Sequence, residues 1–473
     1  MKASSNRRWL LSGAWAVLLP ACTLLVDPEV GAGLGTACAF DDQCQGSTCI
    51  EGICAVACGD SNGCPGGTEC AQLLSGNGGS CQLTLRAGFV YGGDPAQFDF
   101  IRAFDDGRVE TEAVPALGYL ETSVSDPAPL ASDAADAARA LAALGNRVVV
   151  STMPSHAQAF ADIAAEVDDT LMLAFQSPTS GGNLVSYDAR MYQAYYLAGI
   201  AAVRMSTSKR LGFVAGAVTP RVIASVNAFA LGAQSELPTA IVEARFLGEP
   251  HDTQPKVDGK SRERRFVEEL VTSGSDVIAH NLDNNIPLFT VRDLLVGDGP
   301  SGEPEPDIFA VAANIADGCA EFESLPDGAS AEEQSAVNGR CIAAAFYHWA
   351  PLFTRVFDDF HRDKEIPPTI YEPILASNSE SVVGFSVDPA VGAATVMKVD
   401  DKRAKLAANV ESVFTGPIES TSVDCDPLPC VAVAEGATLD DAAINSMCWL
   451  ARGIVGADNL PLVLPAEGDC VVE

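Results

Sequence analysis

Carboxylates, amides and aromatic rings recur just beyond apolar runs, and these are the residues whose types and spacing suggest chemistry. "AGFV" at 87–90 leads into "YGGDPAQFDF", "DVIAHN" leads into "LDNN", and "IFAVAA" leads into "NIAD". In a cleft, aromatic faces sandwich a flat ligand while carboxylates and amides fix its edges. Asp and Asn at such places also serve as turn and cap residues, so each position carries both readings. Catalytic patterns are absent from the sequence. "DGKS" at 258–261 lacks the leading glycine of a phosphate loop, since Gln254 stands there. No Gly-x-Ser-x-Gly elbow and no His-Glu-x-x-His helix is present. The 5 histidines are scattered, and nothing assembles a nucleophile, a base and an orienting group. The expectation is a binding protein without catalytic residues, metal or cofactor.

The elements that must position these groups alternate. Strand-like runs at 87–93, 146–153, 170–175, 210–216, 240–248, 275–281 and 307–314 are separated by amphipathic stretches such as "ASDAADAARALAAL" and "RERRFVEELVTSG". Such alternation means βαβ units, with parallel sheets covered by helices. A joint near Met205–Lys209 divides the strands into two sets. The predicted fold is α/β: two Rossmann-like lobes with parallel sheets and a hinge, binding ligand at the carboxyl ends of strands. "YDARMYQAYYLAGIAAVRM" leads to that joint. It crowds Tyr187, Tyr192, Tyr195 and Tyr196, half of the 8 tyrosines, into the front of an alanine-rich run that reads as a helix.

Composition bounds the class. The chain has 473 residues, 48% of them hydrophobic and 19% charged, which describes a globular protein. A net charge of −34 argues against nucleic acid and against electrostatic adhesion to anionic lipid. Lys2, Arg7 and Arg8 precede a short apolar segment that ends in "LLPAC". Residues 1–21 read as a secretory signal, with Cys22 as a lipidated first residue in a bacterial lipobox. An ordinary signal with an incidental cysteine is the plainer alternative. Residues 22–36 form a tether, and 37–84 a cysteine-rich module held by disulfides for want of large apolar residues. Besides Cys22, the 15 cysteines leave eight in the module and six beyond it. The six suggest pairs Cys319 with Cys341, Cys425 with Cys430 and Cys448 with Cys470, although spacing alone does not fix connectivity. The module is expected to fold by itself ahead of a two-lobe domain over 85–473. Lobe one takes about 85–204 plus C-terminal returns, and lobe two about 205–345.

From about 86 to 420 the chain resembles the basic membrane protein/PnrA-like family, type I periplasmic substrate-binding lipoproteins of ABC transporters. "YDARMYQAYYLAGIAA", "KRLGFVAGAVTPRVIASVNAFALGAQ", "GSDVIAHNLDN", "YHWAP" and "VFTGPI" follow the family's motifs in order. The resemblance implies capture of a purine nucleoside or nucleobase in the interlobe cleft and delivery to an ABC permease. It implies ligand-binding roles for Gln97, Phe100, Tyr192, Gln193, Arg221, Asp283, Asn314 and Trp349. Tyr195, Leu197 and Ile200 are left to the core. Two departures stand out: Gln97 replaces an aspartate, and Arg221 follows Pro220 where relatives often carry an acidic or apolar residue. The stretch between Asn314 and Cys341 is longer than its counterpart and reads as a disulfide-tied loop near the cleft mouth. Localisation follows as the cell envelope, held to the membrane only through lipid, with Thr23 favouring the outer membrane. A sensor with a signalling partner, or a surface structural lipoprotein, keeps the same fold without transport.

Overall fold

The computed structural model describes residues 38–59, 64–65, 68–73, 78–299, 302–305, 307–421 and 430–457. The signal segment, Cys22, the tether and the Cys425 and Cys470 halves of two expected pairs lie outside the described residues. Cys430 and Cys448 are both disulfide-bonded.

The cysteine-rich module is a four-stranded antiparallel sheet of β1 (Thr48–Ile50), β2 (Ile53–Cys58), β3 (Thr68–Gln72) and β4 (Gly79–Leu83), in the order β1-β2-β4-β3. Two interleaved disulfide pairs hold it: Cys38–Cys49 with Cys44–Cys54, then Cys58–Cys70 with Cys64–Cys81. One residue separates it from the next domain, and it is packed there rather than tethered. Ala71 is buried in the same core as Leu117 and Tyr119. Arg362 donates to the Glu51 carbonyl at 2.9 Å, and the His361 ring meets Gln82 Oε1 at 3.0 Å.

Beyond the module, apolar runs build two sheets. The first contains β5 (Leu85–Val90), β6 (Leu120–Val124), β7 (Val148–Ser151), β8 (Leu171–Phe175) and β9 (Leu184–Ala189). The second contains β10 (Arg210–Ala215), β11 (Ile241–Phe246), β12 (Val277–His280), β13 (Phe309–Asn314) and β14 (Cys341–Tyr347). Continuous buried stretches such as "VVVS" and "LMLAF" suit parallel strands covered on both faces. Later strands return to both sheets: β15 (Thr369–Glu372) to the first, β16 (Val383–Val387) to the second. β17 (Ile418–Ser420) and β18 (Cys430–Val433) form a separate pair, and β19 (Ile454–Val455) closes the edge of the second sheet. The orders are β15-β9-β8-β7-β5-β6, all parallel, and β16-β14-β13-β12-β10-β11-β19, parallel except for β16.

The joint near Met205–Lys209 does separate the two sets of strands, but the lobe border falls earlier. The helix Tyr192–Met205 packs on β14 and β16 and against the helix Pro220–Glu236, so it belongs to the second lobe. These two helices cross with backbones in contact. A Cβ on Gly199 would lie 2.0 Å from the Phe229 carbonyl oxygen, and one on Gly232 2.0 Å from that of Tyr196. The second lobe also takes β16 and β19, and so extends well past residue 345. Tyr187 sits in β9 rather than in a helix, fully buried, its hydroxyl donating to the Ser151 carbonyl at 2.5 Å. The stretch after Asn314 holds two short helices, Gly318–Glu323 and Ala331–Val337, tied to β14 by Cys319–Cys341. Among the described residues, no helix is long and apolar enough to cross a membrane.

The interlobe cavity as candidate binding site

A cavity of about 250 Å³ lies between the carboxyl ends of the two sheets. Strand ends set its wall. Phe175 and Gln176 leave β8, Asn281 and Asp283 follow β12, Asn314 ends β13 and Tyr347 ends β14. Gln176 and Asn314 have φ of 53° and 69°, the left-handed region that non-glycine residues rarely occupy. Backbone of this kind persists where neighbours over-determine it and is concentrated at functional sites. Here Asn314 Nδ2 donates to the Leu282 carbonyl at 2.6 Å, and Gln176 Nε2 to Asp188 Oδ1 at 3.1 Å.

The two lobes meet around this space. Arg221, in the first turn of the helix capped by Thr219, donates from Nε to Asp188 Oδ2 at 2.6 Å, joining lobe two to the end of β9 in lobe one. The Phe100 amide donates to the Asp283 carbonyl at 3.1 Å. At the mouth, Arg102 reaches Asp317 and Glu321, each at 2.8 Å, and the Phe98 ring lies 4.6 Å from the His251 ring. The conformation is therefore a closed one.

Aromatic rings line much of the interior. Phe100 meets Phe175 and Tyr347 at 5.8 and 5.6 Å between centroids. Tyr192, Tyr195 and Tyr371 complete the set, with the Tyr195 hydroxyl donating to the His280 carbonyl at 2.8 Å. Burial, and next the Asp188 charge, hold the Tyr347 and Tyr371 hydroxyls far above the usual phenol range, so both stay protonated donors. Burial opposes the Arg221 charge, but Asp188 outweighs it and the guanidinium stays ionised. The Asp283 carboxylate, 3.7 Å from His251 Nδ1, raises the pKa of that imidazole. Burial lifts Asp99, beside the Arg102 contacts, to about 6; Arg102 opposes the shift and Glu321 adds to it.

Of the residues singled out from sequence, the cavity brings together Phe100, Tyr192, Arg221, Asp283 and Asn314. Three do not line it. Gln97 is exposed on the turn before the helix Asp99–Glu112 and donates to Asp94 Oδ2 at 3.1 Å. Gln193 is buried, its Oε1 accepting from the Ile374 amide at 2.7 Å, so it braces the segment after β15. Trp349 is sealed in the core, stacked on Phe104 at 4.8 Å and on Tyr347 at 5.1 Å. Sequence reasoning missed Asp188, Gln176, Tyr347, Tyr371, His251 and Ile444. Asp188 and Tyr347 stand inside "YDAR" and "YHWAP", where a signal existed. Tyr371 and Ile444 arrive from distant returns and had none.

Two lobes with parallel sheets closing over a cavity at their strand ends form a type I periplasmic binding fold. Residues 105–288 match the family described as ABC transporter substrate-binding protein PnrA-like, so the resemblance seen in the motifs holds over that segment. A Conexibacter woesei ABC transporter solute-binding protein superposes with a TM-score of 0.52 at 15% identity, covering 70% of this chain and 98% of its own, a likeness of fold. A purine-binding protein of Brucella abortus is 25% identical over 224 residues, 47% of this chain and 61% of that protein. A Haloferax volcanii protein, provisionally named an ABC transporter glucose-binding protein, is 26% identical over 226 residues, 47% of this chain and 55% of that protein. The chain thus spans roughly three-fifths of the curated relatives it matches. The matched family and the superposed structure are named for solute binding, not for catalysis.

Proposed function

We propose that this protein is a lipid-anchored solute-binding protein that encloses a purine nucleoside or nucleobase and hands it to an ABC permease. The observation that carries the reading is the aromatic cavity whose wall also holds the polar groups Arg221, Asn281, Asp283 and Asn314. Phe100 and its neighbouring rings offer a stacking surface, Asp283 and Asn314 take hydrogen-bond donors and acceptors of a base edge, and closure of two lobes excludes water. The similarity to a protein named for purine binding agrees with it. Cys22 supplies the anchor, and Cys22→Ala would release the protein from membranes in a carbonate wash. Retention of that variant would contradict the anchor without touching the ligand.

The similarity to a protein named for glucose binding gives a second reading, since sugars also stack on aromatic faces. Protein stripped of ligand by denaturation and refolding, titrated in a calorimeter with purines and with glucose, separates the two. Heat with a purine nucleoside or base and none with glucose supports the first; the reverse supports the second.

A further inference from the structure

Arg221 is the one cation among the described residues that line the cavity. Its Nε–H is committed to Asp188, itself held by Gln176 and buried. Among the described residues, its two terminal nitrogens have no acceptor. The guanidinium is therefore fixed through one edge and presents its other N–H groups as a planar fork. The N-terminus of the helix Pro220–Glu236 adds partial positive charge beside it, with Thr219 and Val222 also in the wall. Asp283, an acceptor when ionised, and the amides Asn281 and Asn314 supply the other polar groups of the same wall.

Resting on the purine reading, the geometry points to a selective site for 6-oxopurines, with Arg221 as the residue that sets the preference. A fork of N–H donors matches two adjacent acceptors, which guanine and hypoxanthine present as O6 and N7. A carboxylate matches the adjacent donors N1–H and the 2-amino group of guanine. Adenine offers N7 and an N6 amino donor along the first edge, so one Arg221 N–H would face another N–H. On its second edge it has an acceptor at N1, facing Asp283. The mismatch leaves desolvated polar groups unpaired, and such groups discriminate more strongly than a missing contact.

The test is calorimetry of the stripped full chain with guanosine, inosine and adenosine, repeated on Arg221→Met and Arg221→Lys. Expected are guanosine and inosine binding about tenfold or more tighter than adenosine, the scale of one bidentate base contact. Guanosine should exceed inosine through its 2-amino group. Arg221→Met should lose most of that ratio by weakening guanosine while sparing adenosine. Arg221→Lys keeps a charge for Asp188 but not the fork, so it should fold and still lose discrimination. Adenosine binding as tightly as guanosine, or Arg221→Lys retaining the full ratio, would overturn the assignment while leaving purine binding intact. No binding of any purine would instead defeat the underlying reading and this one with it.

Discussion

A base stacked on Phe100 loses that surface when the ring is removed, and the loss sets the first expectation. Phe100→Ala should weaken purine binding by about 1–3 kcal/mol in calorimetry. Its melting temperature without ligand should fall modestly, because the ring is only partly buried among Phe104, Phe175 and Tyr347. Asp283→Asn should cost at least about 1 kcal/mol, since an amide presents a donor where the ligand's own donors point. Unchanged affinity in both variants would remove the ligand from this wall. Five of the eight residues singled out from sequence line the cavity, and each stands at or just after a strand end or at a helix start, where the fold delivers side chains to the cleft. The failures were failures of orientation. The resemblance placed Gln97 in the first loop but could not fix which side of a tight turn it faces. In "YHWAP" the strand ends at Tyr347 and a helix starts at Ala350, so Trp349 turns inward while Tyr347 faces the cavity.

Among elements, the crossing of the two lobe-two helices carries the strictest sequence demand. Gly199→Val would drive side-chain atoms into the Phe229 carbonyl, which backbone on both sides holds in place. It should destabilise by about 3 kcal/mol or more, read as a large fall in the thermal midpoint. Val at 199 without loss of stability would mean that these helices do not cross as described. The mouth contact is a weaker device. Arg102 is partly exposed and its partners Asp317 and Glu321 more so, so Arg102→Ala should cost no more than about 1 kcal/mol of ligand affinity. That loss should show as faster ligand dissociation in stopped flow. Seven strands were visible in the sequence as apolar runs with β-branched or aromatic residues. Those missed lacked that contrast: "LETSV" is mostly polar, "CIAAAFY" is alanine-rich, and "LVSYDA" runs straight into the tyrosine helix.

For the molecule as a whole, buried imidazoles link stability to pH. Burial pulls His280 down to about 3 and His361 down to about 4, from 6.5. The unfolded chain binds these protons and the folded one does not, so their stabilisation is complete above about pH 6.5 and is lost as pH falls through the folded values. Each contributes up to about 1.4 kcal/mol per pH unit in that window. Asp99 works in the opposite sense, its contribution present below about pH 4 and lost as pH rises through about 6. The expected net result is a lower melting temperature at pH 5 than at pH 7, with a shallower dependence in His361→Gln; equal slopes would contradict it. The cysteine-rich module, expected from sequence to fold by itself, is docked on lobe one through Ala71, Gln82 and Glu51. Its deletion should lower thermal stability yet leave ligand affinity unchanged, because none of the module's described residues is among those lining the cavity. The central claim is that the closed cleft holds a purine. Its most direct measurement is calorimetric titration of stripped protein with purine nucleosides and bases. A dissociation constant between roughly nanomolar and micromolar, with one site per chain, is the predicted result. No heat with any purine would contradict the account.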